Sequence, residues 1–163
     1  MQRENNEAPS LRQLPSIDDH VRPMREEDAW AVWDITTRAL GYSCLVEVVR
    51  CQIAKLSSDP HYLNLVWTDE TTGEVLAFLQ ATEYETLHNH GGWDIINLAV
   101  LPERQQQGIG KALLAAFESI AKARGGRFVR LNSRLERTGA HAFYEHVGYD
   151  SSKTQRYFSK QLQ

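Results

Sequence analysis

The clearest periodicity in the chain runs from Ile109 to Ala121. Ile109, Ala112, Leu113, Ala116, Phe117, Ile120 and Ala121 recur at the three-and-four spacing of one helix face. Lys122 and Arg124 follow in the last turn, where cations oppose the helix dipole, and Gly125-Gly126 supplies a stop. On the near side, Trp93 to Val100 is almost continuously apolar, the pattern of a central strand buried on both faces. On the far side, Phe128 to Asn132 reads as another strand. Strand, helix and strand in about 40 residues predict a βαβ-type unit.

The remaining elements are shorter. His20 to Met24 predicts an edge strand, since proline is tolerated there (Pro23). Glu26, Glu27 and Asp28 suit the first turn of a helix that Gly41 ends, with Trp30 and Trp33 read as core. A second helix is expected from Cys44 to Leu56, with Leu45, Val46, Val49, Ile53 and Leu56 as its apolar stripe and Asp59-Pro60 as its stop. Leu63–Thr68 and Glu74–Thr82 are β-rich runs around a loop containing Gly73, which is a hairpin signal. Thr138-Gly139 opens a short helix in which Ala140, Phe143, Tyr144 and Val147 share a face and Gly148 ends it. Tyr149 to Leu162 predicts a final pair of strand-like segments, with Tyr157 and Phe158 in the core. Residues 1–19 are polar, carry Pro9 and Pro15, and read as a flexible extension before a single domain over 20–163.

Composition adds limits. The chain has 163 residues, 42% hydrophobic and 24% charged, ordinary for one globular domain. A net charge of −3 without a basic run argues against nucleic acid as a partner. No apolar run approaches the roughly 18 residues of a membrane span, and the start has no secretory signal. Cys44 and Cys51 sit about 10 Å apart along one predicted helix, too far for a disulfide. A cytoplasmic protein with reduced thiols is therefore expected.

The candidate chemistry lies between the central strand and the long helix, at Gln105-Gln106-Gln107-Gly108-Ile109-Gly110-Lys111. A glycine turn that opens a helix offers unpaired N–H groups and the positive end of the dipole, which together hold phosphate. Two familiar phosphate motifs fail on spacing. A P-loop needs glycine where Gln105 stands and Ser or Thr where Ala112 stands, and a dinucleotide fingerprint needs glycine where Leu113 stands.

The pattern Gln-x-x-Gly-x-Gly from Gln105 to Gly110, following Leu98-Ala99-Val100, resembles the acetyl-CoA site of the GCN5-related N-acetyltransferase (GNAT) superfamily. The resemblance continues through Asn132 at the next strand end and Ala140-His141-Ala142-Phe143-Tyr144-Glu145-His146-Val147-Gly148-Tyr149, and spans roughly residues 20 to 162. It implies an α/β (α+β) GNAT fold: a mixed, mostly antiparallel sheet of six to seven strands, splayed at its centre, with helices on both faces. It also implies transfer of acetyl from acetyl-CoA directly to a primary amine, without a metal. Residues implied at the coenzyme are Leu98, Ala99, Val100, Gln105, Gln106, Gln107, Gly108, Ile109, Gly110, Lys111, Asn132, Ala140 and Tyr144. A backbone N–H near Leu98 or Val100 would face the acetyl carbonyl and stabilise its developing charge.

Tyr144 matches the family's general-acid tyrosine. The base is open. Many members place a Glu on the central strand, where this chain has Asn97, which cannot accept a proton. Asp94 and Glu83 are the candidates, beside a water relay, although by strict alternation Asp94 points away from Asn97. His88 and His90 make a poor zinc signature. The acceptor is open among a small amine, an aminoglycoside-like drug, a polyamine, an amino acid, and a protein N-terminus or lysine. A homodimer is a further option. The absent Glu also admits a second reading, a catalytically inactive acyl-CoA-binding module.

Overall fold

The computed structural model describes residues 18–162; the extension expected over 1–19 lies outside it except for Asp18 and Asp19. The described chain forms two compact units, one up to Leu131 and one from Asn132.

The first unit is a five-stranded sheet in the order β1-β2-β3-β4-β5. The strands are β1 (Val21–Pro23), β2 (Tyr62–Thr68), β3 (Val75–Tyr84), β4 (Gly92–Val100) and β5 (Phe128–Leu131). The first four pair antiparallel and β5 lies parallel to β4. Helices α1 (Ala29–Ile35), α2 (Val46–Ser57) and α3 (Ile109–Ala123) complete the unit. A π-turn over Thr36–Leu40 extends α1 to Gly41, whose left-handed backbone closes it. α1 and α2 cover one sheet face. There Val32, Ile35 and Ile53 meet Val66, Phe78 and Ala99. α3 covers the other face, where Phe117 packs edge-on against Trp93 at 6.0 Å. Both helix layers bury the stripes that periodicity marks, including Leu113, Phe117 and Ile120, each almost wholly buried. The helices thus stand on both faces, as expected of the fold.

Hydrogen bonds anchor the start of α1. Asp28 is 5% exposed and accepts from Arg22 Nη1 at 2.8 Å, Arg22 Nη2 at 2.7 Å and the Arg25 N–H at 2.8 Å. At the other end of the sheet, Gly92 has no substitute. A Cβ there would sit 2.5 Å from Phe128 Cζ and 2.7 Å from the Tyr84 carbonyl.

Four expectations are corrected. The sheet has five strands among the described residues, not six to seven, because residues 150–162 form no strand. That segment has three apolar side chains in thirteen positions and no alternation, so it has no face to bury. Tyr157 and Phe158, expected in the core, are 90% and 84% exposed. Trp30 is 59% exposed, and its partner Trp33 is half-buried with its indole N–H donating to the Cys44 carbonyl at 2.9 Å. Finally, β4 is not buried on both faces: Asn97, Leu98 and Val100 are half-buried and Ile96 is 47% exposed.

Candidate active site

Two features of β4 shape the site. Pairing with β5 runs only from Gly92↔Phe128 to Ile95↔Leu131, so the last residues of β4 are held by β3 alone. This is the splay that the fold class implies. The β3–β4 register also slips at the same level. Ala81 pairs with Ile95 and Gln80 with Asn97, which leaves Ile96 as a one-residue bulge.

The bulge reverses the alternation across it. Thr82 faces Asp94 and Gln80 faces Asn97, and residues 80 and 82 of β3 share a face. Asp94 and Asn97 therefore share a face too, and the expectation that they point apart is corrected. Strict alternation fails because one extra residue intervenes. This is the α1/α2 face, where Arg130 Nε lies 3.5 Å from Asp94 Oδ2 and the Arg130 guanidinium stands 4.5 Å over the Tyr84 ring. Partial burial raises the Asp94 carboxyl pKa above its ordinary value, while the Arg130 charge opposes the shift. Glu83 pairs with Trp93 and so lies on the α3 face, exposed, 3.9 Å from His61 Nε2. The structure does not bring the two candidate carboxylates together.

Between α1, α2 and this face lies a cleft of about 160 Å³. Its walls are Met24, Val32, Val48, Val49, Ile53, Leu56 and Phe78, and its polar lining is Thr36, Gln52, Asn64, Gln80 and Asn97. None of these groups carries a charge. Sequence reasoning missed Asn64, Gln80 and Gln52. Asn64 and Gln80 interrupt apolar strand runs on one face, which is the signal that could have found them.

The turn after β4 leads into the uncapped start of α3. Gln106 has φ 61° and Gly108 φ 83°, so the chain twists through the left-handed region twice before α3 starts. Gly108 is the N-cap and provides no side-chain bond, which leaves the first-turn N–H groups uncapped by any side chain. Ile109 is buried and anchors the turn, while Gly110 is half-buried beside it and Lys111 is exposed. The glutamines are partly engaged. Gln105 Nε2 donates to the Val100 carbonyl at 3.2 Å and Gln107 Nε2 to the Glu103 carbonyl at 3.3 Å. They brace the loop, and the uncapped N–H groups at the helix start fit a pyrophosphate. Leu98 and Val100 lie on the segment of β4 that β5 does not reach, whereas the Ala99 side chain is buried toward α1 and α2.

In the second unit, α4 (Thr138–His146) carries Ala140 and Tyr144, both half-buried. The Tyr144 ring lies 5.2 Å from Phe143 and 5.6 Å from Tyr149, both edge-on. Burial pushes its phenol up to about 12, only partly offset by the Arg137 charge, so the hydroxyl keeps its proton at any physiological pH. Asn132 is exposed at the start of this unit.

Residues 17–149 match the model of the acetyltransferase (GNAT) family. The chain belongs to that family. This acetyltransferase is 37% identical over 136 residues to the aminoalkylphosphonate N-acetyltransferase of Salmonella typhimurium, covering 81% of this chain and 85% of that one. Its fold matches an aminoglycoside antibiotic 6'-N-acetyltransferase from Acinetobacter baumannii at TM-score 0.72 and 20% identity, over 88% of this chain and 98% of that one. It also matches an aminoglycoside N-acetyltransferase in complex with CoA at TM-score 0.75 and 15% identity, over 87% and 94% of the two chains. The acetyltransferase is thus an enzyme that uses acetyl-CoA to acetylate an amine. The reading as an inactive binding module gives way to it. Among the described residues no cluster of side chains could hold a metal, and no helix is long and apolar enough to cross a membrane.

Proposed function

We propose that the acceptor is a small primary amine of the aminoalkylphosphonate class, with Asp94 as the base and Tyr144 as the acid. The observation that carries this reading is the Asp94–Arg130 pair at 3.5 Å on the cleft face of the sheet. A carboxylate beside a guanidinium is the charge complement of an ammonium beside a phosphonate. Guanidinium matches phosphonate oxygens in shape as well as in charge. The 37% identity to an aminoalkylphosphonate N-acetyltransferase supports the same class. The uncharged cleft of about 160 Å³ offers a polycationic aminoglycoside no counter-charge and suits the side arm of a small acceptor.

Acetyl-CoA supplies the activated acyl group. Around it, the uncapped start of α3 and the Gln105–Lys111 turn hold the pyrophosphate. Asp94 takes the proton that the acceptor nitrogen must lose before its lone pair can attack. Its raised pKa moves it toward neutrality, where a base works best. Tyr144, protonated throughout, is the proton source for the sulfur that leaves.

Thiol release from acetyl-CoA across a panel of acceptors tests the assignment. A 1-aminoalkylphosphonate is expected to exceed a plain alkylamine of equal length by at least tenfold in kcat/KM. Arg130→Met should remove most of that advantage, read as the ratio of the two acceptors' kcat/KM so that any shift in the Asp94 pKa cancels, since a charge-assisted pair is worth about 1.5–3 kcal/mol. Turnover of aminoglycosides with none of phosphonates would refute the proposal.

A further inference from the structure

The floor of the cleft carries a row of side-chain amides that the chemistry above leaves unused. Asn64 on β2, Gln80 on β3 and Asn97 on β4 stand side by side in register. Asn97 Nδ2 donates to Gln80 Oε1 at 3.2 Å. Asn64, at the far end, is 9% exposed, and its Oδ1 is buried with no hydrogen-bond partner among the described residues. A buried carbonyl oxygen left unpaired destabilises the fold, and a leucine of similar shape would serve the core better. Buried polar atoms without partners are rare, so this one calls for a ligand or another explanation.

We infer that Asn64 is a specificity-determining residue of the acceptor site: its side-chain amide, which lines the cleft, hydrogen-bonds an uncharged polar group at the end of a short apolar arm of the acceptor. The inference rests on the small-amine reading above and names what the cleft selects. The group is best a hydroxyl, because the Asn64 amide has one donating and one accepting end and a hydroxyl can meet either. It must be uncharged, because apolar walls such as Val49, Ile53 and Phe78 and neutral amides cannot replace the hydration of an ion. It must sit at the end of an arm, because Asn64 is two strands from the strand carrying Asp94, roughly 10 Å at the usual strand spacing. A site that hydrogen-bonds a hydroxyl rejects the analogue lacking it far more strongly than an apolar pocket separates one methylene from none.

The test compares two 1-aminoalkylphosphonates with side arms of equal length, one ending in a hydroxyl and one in a methyl, at saturating acetyl-CoA. The full-length enzyme is expected to favour the hydroxyl arm by about 100-fold or more in kcat/KM, mostly through KM. Asn64→Leu should abolish the preference, to within about threefold, with the KM for acetyl-CoA unchanged and the melting temperature equal or higher. Asn64→Gln keeps an uncharged amide and should keep the preference; it serves as the check should Asn64→Leu fold poorly. An enzyme that does not discriminate, or an Asn64→Leu variant that still does, would overturn the inference while leaving phosphonate turnover standing. If neither phosphonate is turned over, the proposed acceptor class fails instead. Calorimetric binding of the matched arms on simple alkylamines then decides the role of Asn64 alone, and equal affinity of the two arms would overturn it.

Discussion

At Asp94 two forces compete. Burial disfavours its charged form and Arg130 favours it, with burial the larger. A carboxyl whose folded pKa lies above its unfolded value contributes stability at low pH that is lost as pH rises through the folded pKa. Asp94→Asn should therefore melt at an equal or higher temperature at pH 7, yet lose about 100-fold in kcat/KM. A melting curve beside a thiol-release assay checks both, and a variant with full activity would remove Asp94 as the base. The same sign applies to Tyr144, whose phenol is pushed up to about 12. The unfolded chain releases that proton near its ordinary pKa of about 10, so this contribution to stability is lost as pH rises from 10 through 12. Tyr144→Phe should abolish that alkaline loss in urea titrations and lower kcat by about 10- to 100-fold. Residue identity was legible here in part. Tyr144 stood out in its Phe-Tyr context, and Asp94 was visible as a candidate. Its facing was not, because a bulge has no signature in an apolar run where Ile95 and Ile96 are alike.

At the level of elements, periodicity located what had a face to bury. The α3 stripe, the β2–β3 hairpin around Gly73 and the Gly41 stop all stand where the pattern puts them. It failed where aromatic residues were equated with core. Trp30 lies on the outer side of α1, and Tyr157 and Phe158 lie in a chain that makes local bonds such as Ser152 N–H to Asp150 Oδ1 at 3.1 Å. Nor could it show that Asp28 is buried, since Glu26, Glu27 and Asp28 look alike as first-turn acids. The difference is the partner: Arg22 on β1 reaches Asp28 with both Nη atoms. The pair ties α1 to the strand edge beneath it. Removing one member strands the other, and because Arg22 remains partly solvated the cost should be at the low end for a buried pair. Asp28→Ala is expected to lose about 3 kcal/mol, read as a lower urea midpoint at unchanged slope. A shift below about 0.5 kcal/mol would place this pair with ordinary surface ion pairs.

At the scale of the molecule, the proposed function divides two substrates between the turn after β4 and one face of the sheet. In that proposal the turn beyond β4 serves the coenzyme and the α1/α2 face serves the acceptor. The form of that turn was readable because a glycine turn opening a helix at fixed spacing, with positive φ, has a sequence signature. The cleft on the α1/α2 face was not, because it is assembled from α1, α2 and three strands that are far apart in sequence. The coenzyme half can be tested through the stability of the whole protein. A ligand at 100 times its Kd stabilises the folded state by about 2.7 kcal/mol. For a chain of this length, that raises the melting temperature by roughly 5–10 °C. Acetyl-CoA is expected to produce that shift in the wild type and almost none in Gly110→Asp, whose carboxylate would repel the pyrophosphate. The substitution is informative because an acid in the first turn of a helix is favourable. Gly110 is the second residue of α3, so the unliganded variant should melt no lower than wild type. Loss of the acetyl-CoA shift would then report loss of the anion site and not of the fold, and a full shift in Gly110→Asp would remove the α3 N-terminus from the coenzyme site.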